Sequence, residues 1–182
     1  MSKLKNKEVI LGVCGGISAY KVPELVRALK KKGTSVTCIL SANGARFVTA
    51  LTLKTLSRNK VYESMFEDFE IAIEHIALAK KAAVVVVVPA TADVISRLAC
   101  GRAGDLLTST VLSTKSPVLI CPAMNENMWL HPATKNNAGL LEKYGYKFVQ
   151  HQKGDLACGD SGIGRLADID KIVEAIENIL SK

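Results

Sequence analysis

The sequence predicts an α/β fold, an open, doubly wound sheet of about five or six parallel strands with helices on both faces. The stretch AAVVVVV at 82–88 holds five consecutive valines, which cannot form one apolar and one polar face. A strand of this kind must be covered on both sides, as in a parallel sheet. Apolar runs and helical patterns also alternate along the whole chain, which is the order of βαβ units with right-handed crossovers.

The first predicted unit is a strand, a glycine turn and a helix. An apolar run over 8–14 leads into Gly15 and Gly16. The helix that follows has Pro23 in its first turn, where a missing N–H costs little, and it ends at Gly33. Its apolar positions recur at helical spacing: Val22, Leu25, Val26 and Leu29.

The later elements repeat this alternation. SVTCIL at 35–40 is the second strand, and the polar turn SANGARFV opens a short helix. PVLI at 117–120 and YKFV at 146–149 are further strands. Helices are predicted over about 91–100, 105–114 and 134–143. A last helix over 168–180 closes the domain with one apolar side, made of Ile169, Ile172, Val173, Ile176 and Leu180.

Length and composition favour a single intracellular domain over residues 1–182. The chain is 48% hydrophobic, its longest apolar stretch is far short of the roughly 20 residues of a membrane span, and the N-terminus has no apolar signal core. The five cysteines have no CxxC spacing, so neither a disulfide framework nor a zinc site is indicated. Four of them, Cys14, Cys38, Cys100 and Cys121, have apolar or small neighbours and are interpreted as buried.

The formal charge of +7 does not indicate nucleic-acid binding. The basic residues are dispersed, no aromatic residues are interleaved with them, and the LKKKG run at 29–33 lies at a helix end, where cations complement the helix dipole. A basic protein also suits an anionic small molecule.

Polar residues follow the predicted strands, where ligands bind in sheets of this class. Gly15 and Gly16 allow a ligand to approach the backbone closely, and Ser41 and Asn43 can donate hydrogen bonds to a phosphate. The GxGxxG fingerprint is missing, so a mononucleotide fits better than a dinucleotide. The alternative is a tight turn capped by Ser18. Thr91 and Asp93 can either cap the next helix or contact a ligand.

The stretch CPAMNENMW at 121–129 follows another strand. Asn125 has two amide donors and can hold a carboxylate without ionising, and Met124, Met128 and Trp129 would form a wall that excludes water. Exclusion of water favours loss of a carboxylate as neutral CO₂. The alternative is that the methionines and the tryptophan belong to the core.

Two further candidates have less context. His75 lies beside Glu74 in EHIALAK, and a lone histidine there is more often structural or exposed than catalytic. Cys158 lies in GDLACGDSGIGRL, where four glycines indicate a mobile flap that carries a thiol.

Four motifs in order resemble the flavin-dependent cysteine decarboxylases: GGISAYK, the histidine of EHIALAK, PAMNENMW and LACGDSGIGR. The resemblance covers nearly the whole chain and is closest to the members that act on phosphopantothenoylcysteine in coenzyme A biosynthesis. It implies a Rossmann-like flavodoxin-type fold and an FMN cofactor. The implied FMN contacts are Gly15, Gly16, Ile17, Ser41, Asn43, Thr91, Ala92, Asp93, Val94 and Ala123. The chain departs from the family at Thr91 to Asp93, where members often carry Ser-Ala-Asn.

The resemblance also implies roles for three catalytic residues. His75 is the base, Asn125 binds the substrate carboxylate with Met128 nearby, and Cys158 is the proton donor on the flap. The implied reaction is decarboxylation of 4′-phosphopantothenoylcysteine to 4′-phosphopantetheine through thioaldehyde and enethiol intermediates.

The implied assembly is a homo-oligomer, either a trimer or trimers assembled into a dodecamer, with FMN near the subunit boundaries. A synthetase is expected as a separate partner or a fused domain, and neither nucleic acid nor membrane is expected as a partner. Three other interpretations compete with this one. The first is a relative that acts on a peptide C-terminal cysteine, whose flap should differ from ACGD. The second is a silent FMN-binding subunit, which should lack the histidine, asparagine or cysteine, and the third is a nucleic-acid binder.

Overall fold

The computed structural model describes residues 3–66, 74–155 and 161–181. Its strands are β1 (Glu8–Val13), β2 (Ser35–Leu40), β3 (Val61–Tyr62), β4 (Val84–Ala90), β5 (Val118–Pro122), β6 (Lys147–Phe148), β7 (Gln152–Asp155) and β8 (Ser161–Arg165). Its helices are α1 (Val22–Lys31), α2 (Ala50–Ser57), α3 (Glu74–Lys81), α4 (Ala92–Ala99), α5 (Leu106–Ser113), α6 (Glu126–Leu130), α7 (Pro132–Lys143) and α8 (Ile169–Ile179). Short 3₁₀ helices span Ile17–Lys21 and Gly44–Arg46.

Six strands form one parallel sheet in the order β3-β2-β1-β4-β5-β6. This confirms the predicted doubly wound α/β class. From β1 the chain builds outward to β2 and β3, and it then returns to add β4 on the other side of β1. The strand order reverses between β1 and β4, and a crevice for ligands forms at such a reversal, beyond the carboxyl ends of the strands.

The core lies on both faces of this sheet, as the valine run predicts. Val84, Val86 and Val88 belong to one buried cluster, which includes residues of α1 and α8. Val85 and Val87 belong to a second cluster, which includes residues of α4, α5 and α7. All five side chains are fully buried, so β4 is the central strand of the fold.

The three predicted central helices agree with α4, α5 and α7 to within about two residues at each end. Thr91 caps α4, since its hydroxyl accepts a hydrogen bond from the Val94 N–H at 3.3 Å. Asp105 caps α5 and forms a reciprocal capping box with Thr108. N-caps of this kind fix where a helix begins, and at Thr91 this is also where the loop after β4 ends.

A hairpin that the sequence analysis did not predict follows the main sheet. Strands β7 and β8 pair antiparallel and flank residues 156–160 in the chain. Cys158 therefore lies outside the described residues. The hairpin was missed because its strands are glycine-rich and polar, and they show neither an apolar run nor a clear alternation.

The cysteines divide differently from the prediction. Cys14, Cys38 and Cys121 are buried, and burial raises the pKa of the Cys14 and Cys38 thiols to about 12. Cys100 is exposed, so its predicted burial is wrong. It is the C-cap of α4, one residue beyond the buried Ala99, and at that position the chain has turned towards solvent.

Within the three described ranges, each helix is too short or too polar to cross a lipid bilayer.

Candidate active site

A cavity of about 990 Å³ opens at the carboxyl ends of β1, β2, β4 and β5. Small-molecule sites commonly measure about 300–1,000 Å³. The cavity is therefore large enough for a mononucleotide and a second small molecule together. It lies at the reversal of strand order, where the sequence analysis expected the ligand.

Nine of the ten predicted cofactor contacts line this cavity: Gly15, Gly16, Ile17, Ser41, Asn43, Thr91, Ala92, Asp93 and Ala123. Val94 does not. Its side chain is fully buried in the core, and its backbone N–H donates to the Thr91 hydroxyl. Thr91 thus caps the helix and lines the cavity, which combines the two roles that the sequence left open.

The turns after β1, β2 and β4 pack directly against one another. A Cβ atom on Gly15 would lie 2.3 Å from Cβ of Asn43 and 2.9 Å from its carbonyl carbon, so only glycine fits there. A Cβ atom on Gly16 would lie 3.8 Å from Cγ2 of Thr91. Ser41 shapes the second turn by accepting a hydrogen bond from the Gly44 N–H at 3.0 Å. The three turns form one continuous surface, which we call the strand-end wall.

An ion-pair cluster that the sequence analysis missed lies on the α4–α5 side of the cavity. Nη1 of Arg97 donates to Oδ2 of Asp105 at 2.5 Å, and its Nε lies 3.1 Å from Oδ2 of Asp93 without hydrogen-bond geometry. Burial alone would raise the pKa of Asp105, but hydrogen bonds from Thr108 and Arg97 outweigh it and lower that pKa. Asp93 and Arg97 are four residues apart on a predicted helix, and this spacing could have indicated their ion pair from the sequence.

The cavity carries an excess of positive charge among the described residues. Lys21, Arg97, Arg102 and Arg165 line it, against the carboxylates of Asp93 and Asp105. Such a lining attracts anionic ligands. Phosphate and carboxylate groups are ligands of this kind.

Asn125 lies on the opposite wall as the N-cap of α6. Its side-chain oxygen accepts a hydrogen bond from the Asn127 N–H at 2.9 Å, which fixes the orientation of the amide. Met124 and Met128 line the cavity beside it. The methionine side of the predicted wall is therefore present, although Met128 is 49% exposed.

Trp129 is not part of this wall. It belongs to α6 and is buried, and its ring packs edge-on against His151 at 4.7 Å and against the Lys135 ammonium at 4.3 Å. Because His151 directly precedes β7, the tryptophan connects α6 to the base of the hairpin. The interpretation as a core residue, which the sequence left open, fits this position.

Of the two predicted catalytic residues that the structure describes, one lines the cavity and the other does not. Asn125 lines the cavity, whereas His75 lies half-buried in the first turn of α3 and does not line it. Glu74, beside His75, lies 3.6 Å from the Lys60 ammonium. Cys158 belongs to the residues that are not described, but Gly164 and Arg165 of the adjoining strand β8 line the cavity.

The family model described as Flavoprotein matches residues 1–181. The chain belongs to the flavoprotein family. A relative is the coenzyme A biosynthesis bifunctional protein CoaBC of Bacillus subtilis (strain 168), 44% identical over 175 residues, which are 96% of this chain and 43% of that protein. The chain thus spans less than half the length of the curated relatives that it matches.

Solved structures share the fold of this flavoprotein. The FMN-dependent cysteine decarboxylase SpaF is 28% identical with a TM-score of 0.86, over 98% of this chain and 97% of its own. A PPC decarboxylase mutant complexed with pantothenoylaminoethenethiol has a TM-score of 0.87 at 24% identity, over 98% of this chain and 100% of its own.

Proposed function

We propose that this chain is a carboxy-lyase that uses FMN to convert 4′-phosphopantothenoylcysteine to 4′-phosphopantetheine in coenzyme A biosynthesis. The observation that carries the proposal is one cavity that joins the strand-end wall to the Asn125 motif. The name of the Bacillus subtilis relative supports coenzyme A biosynthesis, and the name of SpaF supports FMN-dependent cysteine decarboxylation.

The residues present fit FMN. A phosphorylated ligand that lies close to the backbone suits this site for three reasons. Gly15 leaves no room for a side chain, Ser41 and Asn43 offer polar groups, and the cavity lining is basic. The proposed contact surface for FMN is completed by six further cavity residues: Gly16, Ile17, Thr91, Ala92, Asp93 and Ala123. When bound, FMN would supply a two-electron acceptor for the cysteinyl end of the substrate and then a two-electron donor, so the overall reaction would have no net redox change.

The residues of the other wall act on the substrate itself. The Asn125 amide donates hydrogen bonds to the substrate carboxylate, and Met124 and Met128 exclude water from it. Oxidation turns the cysteinyl thiol into a thioaldehyde, which accepts the electron pair released as CO₂ leaves. His75 is the proposed base for the oxidation. Cys158 is the proposed proton donor to the resulting enethiol.

We also propose that the site is completed by a second copy of the chain. His75 does not line the cavity of its own chain, and Met128 is half exposed at the cavity wall. In a homo-oligomer, a trimer or a dodecamer of trimers, a neighbouring chain would cover Met128 and bring its own His75 to the cavity. A synthetase, as a fused or separate partner, and a cytoplasmic location complete the proposal.

Co-expression of two inactive variants tests the shared site. His75→Asn and Asn125→Asp, carried on differently tagged chains and purified through both tags, should regain decarboxylase activity that neither variant has alone. Mixed oligomers contain sites with both wild-type residues only if the two residues come from different chains. Mixed oligomers as inactive as their parents would contradict a shared site.

The decisive experiment for the function is a visible absorption spectrum followed by a CO₂-release assay. The purified chain should be yellow and should release CO₂ from phosphopantothenoylcysteine. A peptide with a C-terminal cysteine should release far less. A colourless protein would overturn the FMN proposal, and preference for the peptide would favour the peptide-modifying alternative.

A further inference from the structure

Glu126 connects the Asn125 helix to strand β8. It is the first residue of α6, and its Oε1 accepts a hydrogen bond from the Ile163 N–H at 3.1 Å. A Cβ atom on Gly162 would lie 2.7 Å from Oε2 of the same carboxylate. Both carboxylate oxygens therefore face the backbone of β8.

A second contact joins the same two segments on the other side of Asn125. The Met124 N–H donates to the Gly164 carbonyl at 3.0 Å. Gly164 has a φ of +132°, and a Cβ atom there would lie 2.1 Å from the Met124 carbonyl oxygen. Residues 124 and 126, which bracket Asn125, are thus both in contact with β8.

We propose that Glu126 is a positioning residue that holds β8 at a fixed distance from Asn125. This role rests on the proposed function, because it matters only if Asn125 binds the reacting group. A carboxylate that accepts from a backbone N–H forms a stronger hydrogen bond than a neutral acceptor does. Small displacements of groups around a bound substrate can cost large factors in rate, so one contact beside Asn125 can influence turnover.

Hydrogen exchange tests the contact independently of the chemistry. In purified holoenzyme, Glu126→Ala should increase the exchange rate of the Ile163 amide by about tenfold, since that amide loses its acceptor. Glu126→Gln retains a side-chain carbonyl and should restore most of the protection. The matched control is Glu142→Ala, which removes an exposed carboxylate from the neighbouring helix α7. Unchanged protection at Ile163 in Glu126→Ala would overturn the contact.

Steady-state kinetics test the positioning role. Glu126→Ala should lower kcat/KM for CO₂ release by about tenfold while FMN content and the exchange of β1 and β4 stay at wild-type values. Glu126→Gln should remain within about threefold of wild type, and Glu142→Ala should be unchanged. Wild-type kinetics in Glu126→Ala, or a Gln variant as impaired as the Ala variant, would overturn this role.

The same measurements separate the two proposals. A wild-type protein that releases no CO₂ from phosphopantothenoylcysteine would refute the proposed function and, with it, any role of Glu126 in that reaction. The exchange measurement would still decide whether Glu126 holds β8. An active wild type with an unaffected Glu126→Ala variant would refute the positioning role alone.

Discussion

The two walls of the cavity are held in place by different forces. The strand-end wall grows directly out of the core: Val13, Leu40 and Ala90, at the ends of three strands, are all buried. In the opposite wall, α6 buries one apolar side chain, Trp129, and it is joined to β8 by hydrogen bonds such as that between Ile163 and Glu126. Segments with few buried apolar contacts open at lower free energy than core strands. The strand-end wall therefore suits a cofactor that needs a rigid surface, and the α6–β8 wall suits a substrate that needs an adaptable one.

Gly15→Ala should have the largest effect and should damage the strand-end wall. The added Cβ would lie 2.3 Å from Cβ of Asn43 and 2.9 Å from its backbone, and the neighbouring turns cannot yield without disturbing the core. The purified variant should be colourless and inactive, as absorption spectra and CO₂ release would reveal.

The matched control for this variant is Gly139→Ala. Gly139 lies within α7, and a Cβ atom there would have no neighbour within 4 Å. This change should keep the yellow colour and stabilise the protein by about 0.5–1 kcal/mol, since alanine favours helix. Full cofactor binding by Gly15→Ala would contradict the close packing of the two turns.

Asn125→Asp should have the next largest effect and should leave the strand-end wall intact. The new carboxylate would repel the substrate carboxylate and remove the amide donors, so CO₂ release should fall by at least about 100-fold with the yellow colour retained. Asn127→Asp makes the same chemical change at an exposed position on α6 and should stay close to wild type. Loss of the colour in Asn125→Asp would show that the two walls do not act separately.

Asp105→Ala should have the smallest effect and should act on stability. It removes the N-cap of α5 and the partner of Arg97, which should cost about 1–2 kcal/mol of unfolding free energy at pH 7 by chemical denaturation. Because the pKa of folded Asp105 is below its usual 3.8, this contribution is present above pH 3.8 and is lost as the pH falls below that value.

Chemical denaturation repeated at several pH values tests this pH dependence, with a second variant as its control. The difference between wild type and Asp105→Ala should narrow in acid, whereas Asp170→Ala, an exposed change in the first turn of α8, should alter stability by less than about 0.5 kcal/mol throughout. A difference that does not vary with pH would mean that the carboxylate charge contributes nothing.

The sequence predicted the sheet well because its signals are periodic. The valine run could only be a strand covered on both sides, and α1 follows from four apolar positions at helical spacing. Strand β3 has two residues, and the β7–β8 hairpin is polar and glycine-rich, so neither leaves a periodic trace. Cys100 was misjudged because apolar neighbours in sequence do not determine the direction of a side chain at a helix end.

The candidate site was predictable to the extent that it follows strand ends. Gly15, Ser41 and Thr91 each come directly after or close to the end of a strand, and parallel strands bring those positions to one edge. Val94 lies outside the cavity lining because the phase of α4 turns its side chain into the core. The ion pair of Arg97 was missed because its partner Asp105 is the N-cap of the next helix.

By itself, the sequence determined the order of strands and helices and the loops that follow each strand, because these depend on local periodicity and on glycine and proline positions. Only the tertiary structure decided that Arg97 pairs with Asp105 at the cavity and which carboxylate holds β8. Glu126 and Ile163 are 37 residues apart in the chain, and their contact exists only once the sheet has brought α6 and the hairpin to the same edge. Local patterns carry no information about such a pair, since its geometry arises from the packing of every element between them.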